Sequence, residues 1–127
     1  LKAPAYPPDE ADRIRALKAT GLLDSLPEER FDRITRLAAR FFDVPTCLLS
    51  LVDTDRQWFK SRVGLDVDQL GRDVSFCGHA ILQSHSLVIQ DTFNDPRFAD
   101  NPLVTGEPHI RFYAGAQLHE PESPLVS

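Results

Sequence analysis

Thr46-Cys47-Leu48-Leu49-Ser50-Leu51-Val52-Asp53-Thr54-Asp55-Arg56-Gln57-Trp58-Phe59-Lys60-Ser61-Arg62-Val63-Gly64 is the stretch on which the fold turns. Residues 46–53 are too few for an ordinary helix and are apolar on both alternating faces. Such a run reads as a central strand covered on both sides. Thr54-Asp55 is a turn signal. Residues 56–64 then alternate, with Gln57, Phe59, Ser61 and Val63 on one side and Trp58, Lys60 and Arg62 on the other, the period of a second strand. A turn this short makes the pair antiparallel, because parallel neighbours need a crossover of about a dozen residues or more.

Working outward toward the N-terminus, Pro45 ends a helical pattern that begins at Pro27, where proline suits the first helical position and Glu28 and Glu29 suit the positive end of the dipole. Phe31, Ile34, Leu37, Ala38 and Phe41 form its apolar stripe and are expected to be its core face; Asp32, Arg33, Arg36 and Arg40 lie opposite. A shorter amphipathic helix runs from Asp9 through Ala11, Ile14 and Leu17 to a stop at Gly21. Residues 1–8 hold prolines at 4, 7 and 8 and are expected to be an extended linker.

Toward the C-terminus, Leu65 to Arg72 reads as a polar loop. Asp73 or Ser75 can cap a third helix running to about Gln83. Leu87 to Asp91 is a strand, Asn94-Asp95-Pro96 opens a helical turn carrying Phe98 that Asn101-Pro102 closes, and Ile110 to Leu118 is a last strand. Helix, helix, strand, strand, helix, strand, short helix, strand, with a hairpin inside, describes an antiparallel α/β (α+β) sandwich rather than a doubly wound parallel sheet.

With 127 residues, 42% hydrophobic and 26% charged, the chain is sized for one soluble domain. A net charge of −5 works against attraction to nucleic-acid phosphates or anionic membranes. No apolar run approaches the roughly 20 residues of a membrane span, and the start has no secretory h-region. Cys47 and Cys77 lack the spacing of a disulfide framework, so reduced thiols in a cytoplasmic protein are expected. A start at Leu1 without any methionine suggests a segment of a longer polypeptide.

Several short words recur in a fixed order: Gly21-Leu22-Leu23-Asp24, Glu29-Arg30-Phe31-Asp32-Arg33-Ile34, Ser50 to Ser61, Ser75-Phe76-Cys77-Gly78-His79-Ala80-Ile81, Asp95 to Val104, and Ile110 to Ala116. Together, over Asp9 to Leu118, they resemble a bacterial branch of the GAF sensory family found ahead of histidine-kinase, diguanylate-cyclase or PAS modules. The resemblance implies a central antiparallel sheet, N-terminal helices on one face, and a pocket under loops and short helices on the other. Members hold cyclic nucleotides, bilins, haem or other small molecules, and many have no known ligand, so the fold names no cofactor. The sequence departs from the family after Leu118. An irregular tail, residues 119–127 with Pro121 and Pro124, stands where similar sequences place a further strand and a C-terminal helix. That implies a domain truncated at its C-terminus, or completed by another chain, with unpaired edges along Cys47–Val52 and Phe112–Leu118.

The expected ligand-binding set is Trp58, Phe76, Cys77, His79, Arg97, Phe98 and Tyr113. Cys77 falls in the first turn of a helix, where free amides and the dipole can favour a thiolate, but burial as a plain helix-start residue is the favoured account. Cys77 and His79 point about 200° apart on a helix and do not form a pair. Arg97 beside Phe98 could clasp a carboxylate or phosphate; the plainer account is Asp95 capping a turn, Phe98 packed inward and Arg97 bonded to backbone carbonyls or Asp100. Trp58 and Tyr113 would line adjoining parts of the sheet and accept a planar ligand. His85, His109 and His119 have no metal-ligand spacing, and no serine sits in a glycine elbow, so neither a metal nor a catalytic residue is assigned. The expectation is therefore a regulatory input module of two-component or cyclic-dinucleotide signalling. It would bind a small molecule or partner, form a homodimer and pass its signal along terminal helices to an output domain in the same chain. Two rivals stand beside it. A GAF-fold reductase of free methionine sulfoxide would need a nucleophilic and a resolving cysteine in one pocket. A purely structural dimerisation module would have a filled one.

Overall fold

A computed structural model describes residues 2–118; the tail expected at 119–127 lies outside the described residues. Helix α1 spans Glu10–Ala19 and α2 Glu29–Phe41, followed by β1 (Cys47–Val52), β2 (Arg56–Val63), β3 (Gln69–Gly71), α3 (Phe76–Ala80), β4 (Leu87–Ile89), α4 (Pro102–Thr105) and β5 (Tyr113–Gly115). Short 3-10 turns sit at Arg72–Val74 and Thr92–Asn94.

The hairpin is antiparallel as read, with Val52 opposite Gln57 and Cys47 opposite Val63. Its alternation breaks once. Leu49 faces Ser61 while Ser50 faces Phe59, which leaves Lys60 as the extra residue of a β-bulge. Lys60 and Ser61 both turn toward the helical layer in consequence. The Lys60 ammonium, fully buried, bonds Ser25 Oγ (2.7 Å), the Leu26 carbonyl (2.5 Å) and Glu28 (2.7 Å). Ser61 Oγ bonds Thr35 Oγ1 (2.7 Å) and Asp32 Oδ1 (2.6 Å) on α2. The strict two-face pattern expected for β2 therefore holds only as far as Phe59.

That polar tie corrects the expected orientation of α2. Thr35 and Ala39 are its buried residues, because small side chains let the helix come close to β2 and place the Thr35 hydroxyl on Ser61. Ile34, Leu37 and Phe41, expected in the core, are 56%, 70% and 79% exposed.

Residues 69–71, expected as loop, pair with Arg56–Trp58 and add a third strand; three residues carry too little alternation to be seen in sequence. Asn101-Pro102 opens a helix rather than closing one, with Asn101 Oδ1 accepting from the Leu103 amide at 2.9 Å and Pro102 at the first position. The last strand is shorter than expected because Ile110 and Arg111 are engaged elsewhere: the Ile110 amide donates to Leu103 O, and Thr92 donates to both their carbonyls.

Among the described residues β1 pairs only with β2, and β5 only with β4, so the strands form two sheets, β1-β2-β3 and β4-β5. Helix α3 packs against both β1 and β5. One apolar cluster, Leu17, Leu51 and Trp58 with Leu22 and Leu23, joins α1 to the first sheet. The other, Phe76, Ala80, Leu87, Ile89, Phe98 and Val104, joins α3, α4 and the second sheet.

Candidate functional site

Ser75 fixes α3. Its hydroxyl oxygen accepts from the Gly78 amide (2.8 Å) and its proton goes to Gln57 Oε1 (2.5 Å), which ties the helix start to β2. The Gln57 amide group donates to Ser50 Oγ (2.9 Å) and to Cys77 Sγ (3.1 Å), and the sulfur also meets the Tyr113 hydroxyl at 3.2 Å. Ser75, Gln57, Ser50, Cys77 and Tyr113 thus form one inward-facing polar chain between the two sheets. A chain so fully hydrogen-bonded is rigid and position-specific.

The chain sets the chemistry of Cys77. Burial pushes its thiol pKa up, and the hydrogen bonds from Tyr113, Ser50 and Gln57 only partly oppose this. Of the two readings of Cys77, burial as a plain core residue is the one this shift accords with, since loss of water outweighs the short helix. Burial also pushes the Tyr113 phenol well above its ordinary value. A protonated, doubly hydrogen-bonded thiol is a poor nucleophile. Alkylation by iodoacetamide at pH 7.5 in a Cys47→Ala background is expected to run about tenfold or more below that of a free thiol. Labelling at the free-thiol rate would refute the buried network.

Around this chain the aromatics converge. Phe76 stacks on Phe98 with centroids 4.3 Å apart and planes 10° from parallel, and Tyr113 tilts against Phe76 at 5.1 Å. His79 meets Phe98 edge-on at 4.9 Å. Its Nε2 lies 2.9 Å from the Lys2 carbonyl, which can only accept, so that nitrogen carries the proton. Burial lowers the His79 pKa, leaving the ring neutral at pH 7.

Arg97 is committed to Asp95 through Nε (3.1 Å) and an η nitrogen (2.8 Å), while Asp95 also accepts from the Arg97 amide. This is a local engagement, as in the plainer account of the motif, but its partner is Asp95 where backbone carbonyls or Asp100 were expected. The guanidinium still lies 5.2 Å from the Phe98 ring, at the edge of the cluster.

Six of the seven expected site residues therefore come together: Phe76, Cys77, His79, Arg97, Phe98 and Tyr113. Trp58 does not. It belongs to the Leu17–Leu51 cluster and to a separate cleft of about 740 Å³ between the 22–28 loop, α2 and β2, with Lys60, Asp32 and Asp24 among its walls. The expectation of one central sheet put Trp58 near Tyr113, whereas the two lie in different sheets. Gln57 and Ser50, which hold Cys77, escaped sequence reading. A glutamine directly before the Trp58-Phe59 pair of a strand was the available signal, since burial demands a partner for such an amide.

The structure thus defines, as a class, a small antiparallel α/β domain with an inward-facing aromatic and polar cluster under a short helix and loops. The chain belongs to the GAF domain family, whose model matches residues 26–119. It is 45% identical over 118 residues to a cyclic di-GMP phosphodiesterase of Pseudomonas aeruginosa, an alignment covering 93% of this chain and 20% of that protein. The chain thus spans about a fifth of the curated relative it matches.

Proposed function

We propose that this domain is the regulatory input module of a longer cytoplasmic protein in cyclic-dinucleotide signalling, with a small molecule read at the Phe76–Phe98–Tyr113 cluster and an output domain elsewhere in the same polypeptide. One observation carries the reading: 93% of this chain aligns with only a fifth of a phosphodiesterase, so the likeness is to one module of a larger signalling protein. A planar ligand would take the place of the ring-on-ring contact between Phe76 and Phe98, with Cys77, Tyr113 and Arg97 at its rim.

Catalysis is assigned elsewhere. The Cys77 thiol is held protonated, and Cys47 lies three strand residues from Ser50, about 10 Å along β1, too far to resolve a sulfenate on Cys77. Thiol-dependent reduction of free methionine sulfoxide by this chain would overturn that assignment. The exposed Ile34–Leu37–Phe41 stripe of α2 supports the homodimer, because apolar patches of this kind mark association surfaces.

Native mass spectrometry tests both parts. A dimer is expected, converted to monomer by Leu37→Glu with Phe41→Glu at a melting temperature within about 3 °C of wild type, since surface changes leave stability nearly untouched. A bound small molecule is expected on protein purified from its own cells and absent from the Phe98→Leu variant, which keeps most of the side-chain volume but not the ring. Monomer at every concentration would remove the dimer. Identical empty spectra for wild type and variant would leave a structural module, which the tight Phe76–Phe98 stack also fits.

A further inference from the structure

Residues 2–7 form neither helix nor strand, residues 8–9 turn into α1, and the segment is anchored to the domain at Lys2, Pro4, Tyr6 and Pro7. Pro4 and Pro7 are buried. Pro4 sits on Gly78 of α3 so closely that a Cβ there would come within 2.7 Å of Pro4 Cγ. Lys2 is held twice, its carbonyl by His79 Nε2 at 2.9 Å and its amide by the Arg97 carbonyl at 3.3 Å. Tyr6 donates its hydroxyl to Thr54 O at 2.6 Å and lays its ring 4.0 Å from the Arg72 guanidinium. Pro7 O then accepts from the amide of Glu10, the first residue of α1, at 3.1 Å. The Glu10 carboxylate in turn bridges Arg72 (2.6 Å) and Arg13 (2.9 Å).

These contacts make an unbroken route. Phe98 touches His79, His79 holds Lys2, Pro4 rests on Gly78, Tyr6 covers Arg72, and Arg72 grips the first turn of α1. We propose that residues 2–8 are a strap tying α3 to α1, so that displacement of His79 within the aromatic cluster undocks the strap and loosens the first turn of α1. The role as a signal route rests on reading that cluster as the sensing site; the mechanical coupling is a property of the chain alone. A strap with a docked and an undocked state is the two-state element that any ligand must bias to transmit a signal. A ligand that keeps His79 on Lys2 favours the docked state, and one that turns the ring away favours release.

Hydrogen exchange on the whole chain tests the coupling without any ligand. Gly78→Ala puts a methyl group against Pro4, and His79→Phe keeps the ring beside Phe98 while deleting the donor to Lys2. In either variant, the amides of Glu10 and Arg13, the two of the first turn with backbone acceptors (Pro7 O and Asp9 O), are expected to exchange about tenfold faster than in wild type, with β2 amides unchanged as the mark of an intact fold. Deleting residues 1–6 should in turn speed exchange across residues 76–80. Less than about a threefold change at Glu10 and Arg13 in the folded variants would overturn the strap. If Gly78→Ala does not fold, His79→Phe and the deletion decide between the same two outcomes. A ligand screen that finds nothing leaves this coupling standing, and uncoupled exchange leaves the aromatic cluster intact as a candidate site.

Discussion

Arg13→Met is expected to lower stability by about 3 kcal/mol, at the lower end of the range for breaking a buried ion pair. Arg13 has no exposed surface. One η nitrogen donates to the Val52 carbonyl at the end of β1 (2.5 Å), while Nε and the other η nitrogen grip the two Glu10 oxygens (2.9 and 3.1 Å). Methionine fills much of the space but leaves the Val52 carbonyl buried without that donor and Glu10 with Arg72 as its remaining cationic partner. In a domain of this size the loss reads as roughly 10–20 °C in melting temperature. Arg13→Lys should recover only part of it, since an ammonium cannot present the guanidinium fork to a carboxylate and a carbonyl together.

Acid dependence gives a second reading of the same contact. Burial pushes the Glu10 carboxyl up, but hydrogen bonds from Arg72 and Arg13 outweigh it and hold the pKa below its ordinary value. A carboxyl depressed in the folded state contributes stability that is present above its ordinary value of 4.5 and is lost as the pH falls through the folded value. The variant should lose part of that acid-sensitive increment. Thermal melts carried from pH 8 down to about pH 3 should therefore show a gap between wild type and Arg13→Met that is constant above 4.5 and narrows below it. Equal melting temperatures at pH 7 would show that the Glu10–Arg13 contact carries no weight.

This ionic cluster shows why part of the molecule stayed out of reach of sequence reading. Glu10 and Arg72 stand 62 positions apart, and neither has a local pattern that names its partner. What was legible was local or repeated. The two-faced apolar run at 46–53 and the alternation that follows gave the hairpin, and Ser75 ahead of Phe76 gave the cap of α3. The face of α2 was misread for a physical reason: the largest apolar side chains are not always the ones a monomer buries. Thr35 and Ala39 win the sheet because they are small and because Thr35 finds Ser61. The stripe of Ile34, Leu37 and Phe41 is left exposed. The bulge at Lys60 escaped because a single inserted residue disturbs no average over a strand.

The candidate site divides the same way. Phe76, Cys77 and His79 are adjacent in sequence, and Arg97 and Phe98 fall in one turn, so each group arrives as a unit; the fold had only to bring the two together with Tyr113. Trp58 was misplaced because one central sheet was expected where the strands form two, and alternation assigns only a face of a strand. The polar partners of Cys77 were missed because a buried hydrogen-bond chain leaves no periodic trace.

Phe98→Ala is expected to cost about 3–5 kcal/mol, the range for emptying a buried phenylalanine site. Phe98 is 1% exposed, stacked on Phe76 and braced by the edge of His79, so little around it can collapse into the gap. Stacking adds about 0.5–1.5 kcal/mol to the area term, which places the loss toward the upper half of that range. Phe98→Leu, which restores most of the volume without the stack, should lose less than half as much. The cavity left by alanine is apolar on the Phe76 side, and such cavities stay dry and accept benzene-sized solutes. Adding benzene or indole to Phe98→Ala should therefore raise its melting temperature by mass action while leaving wild type unmoved. Urea melts of the three proteins, with and without the aromatic solute, measure all of this. A Phe98→Ala loss below about 1 kcal/mol, smaller than any closed core position gives, would mean that the cluster is already open to solvent. A rescue by indole would show in the same experiment that the space vacated by Phe98 is closed, dry and the shape of the lost ring.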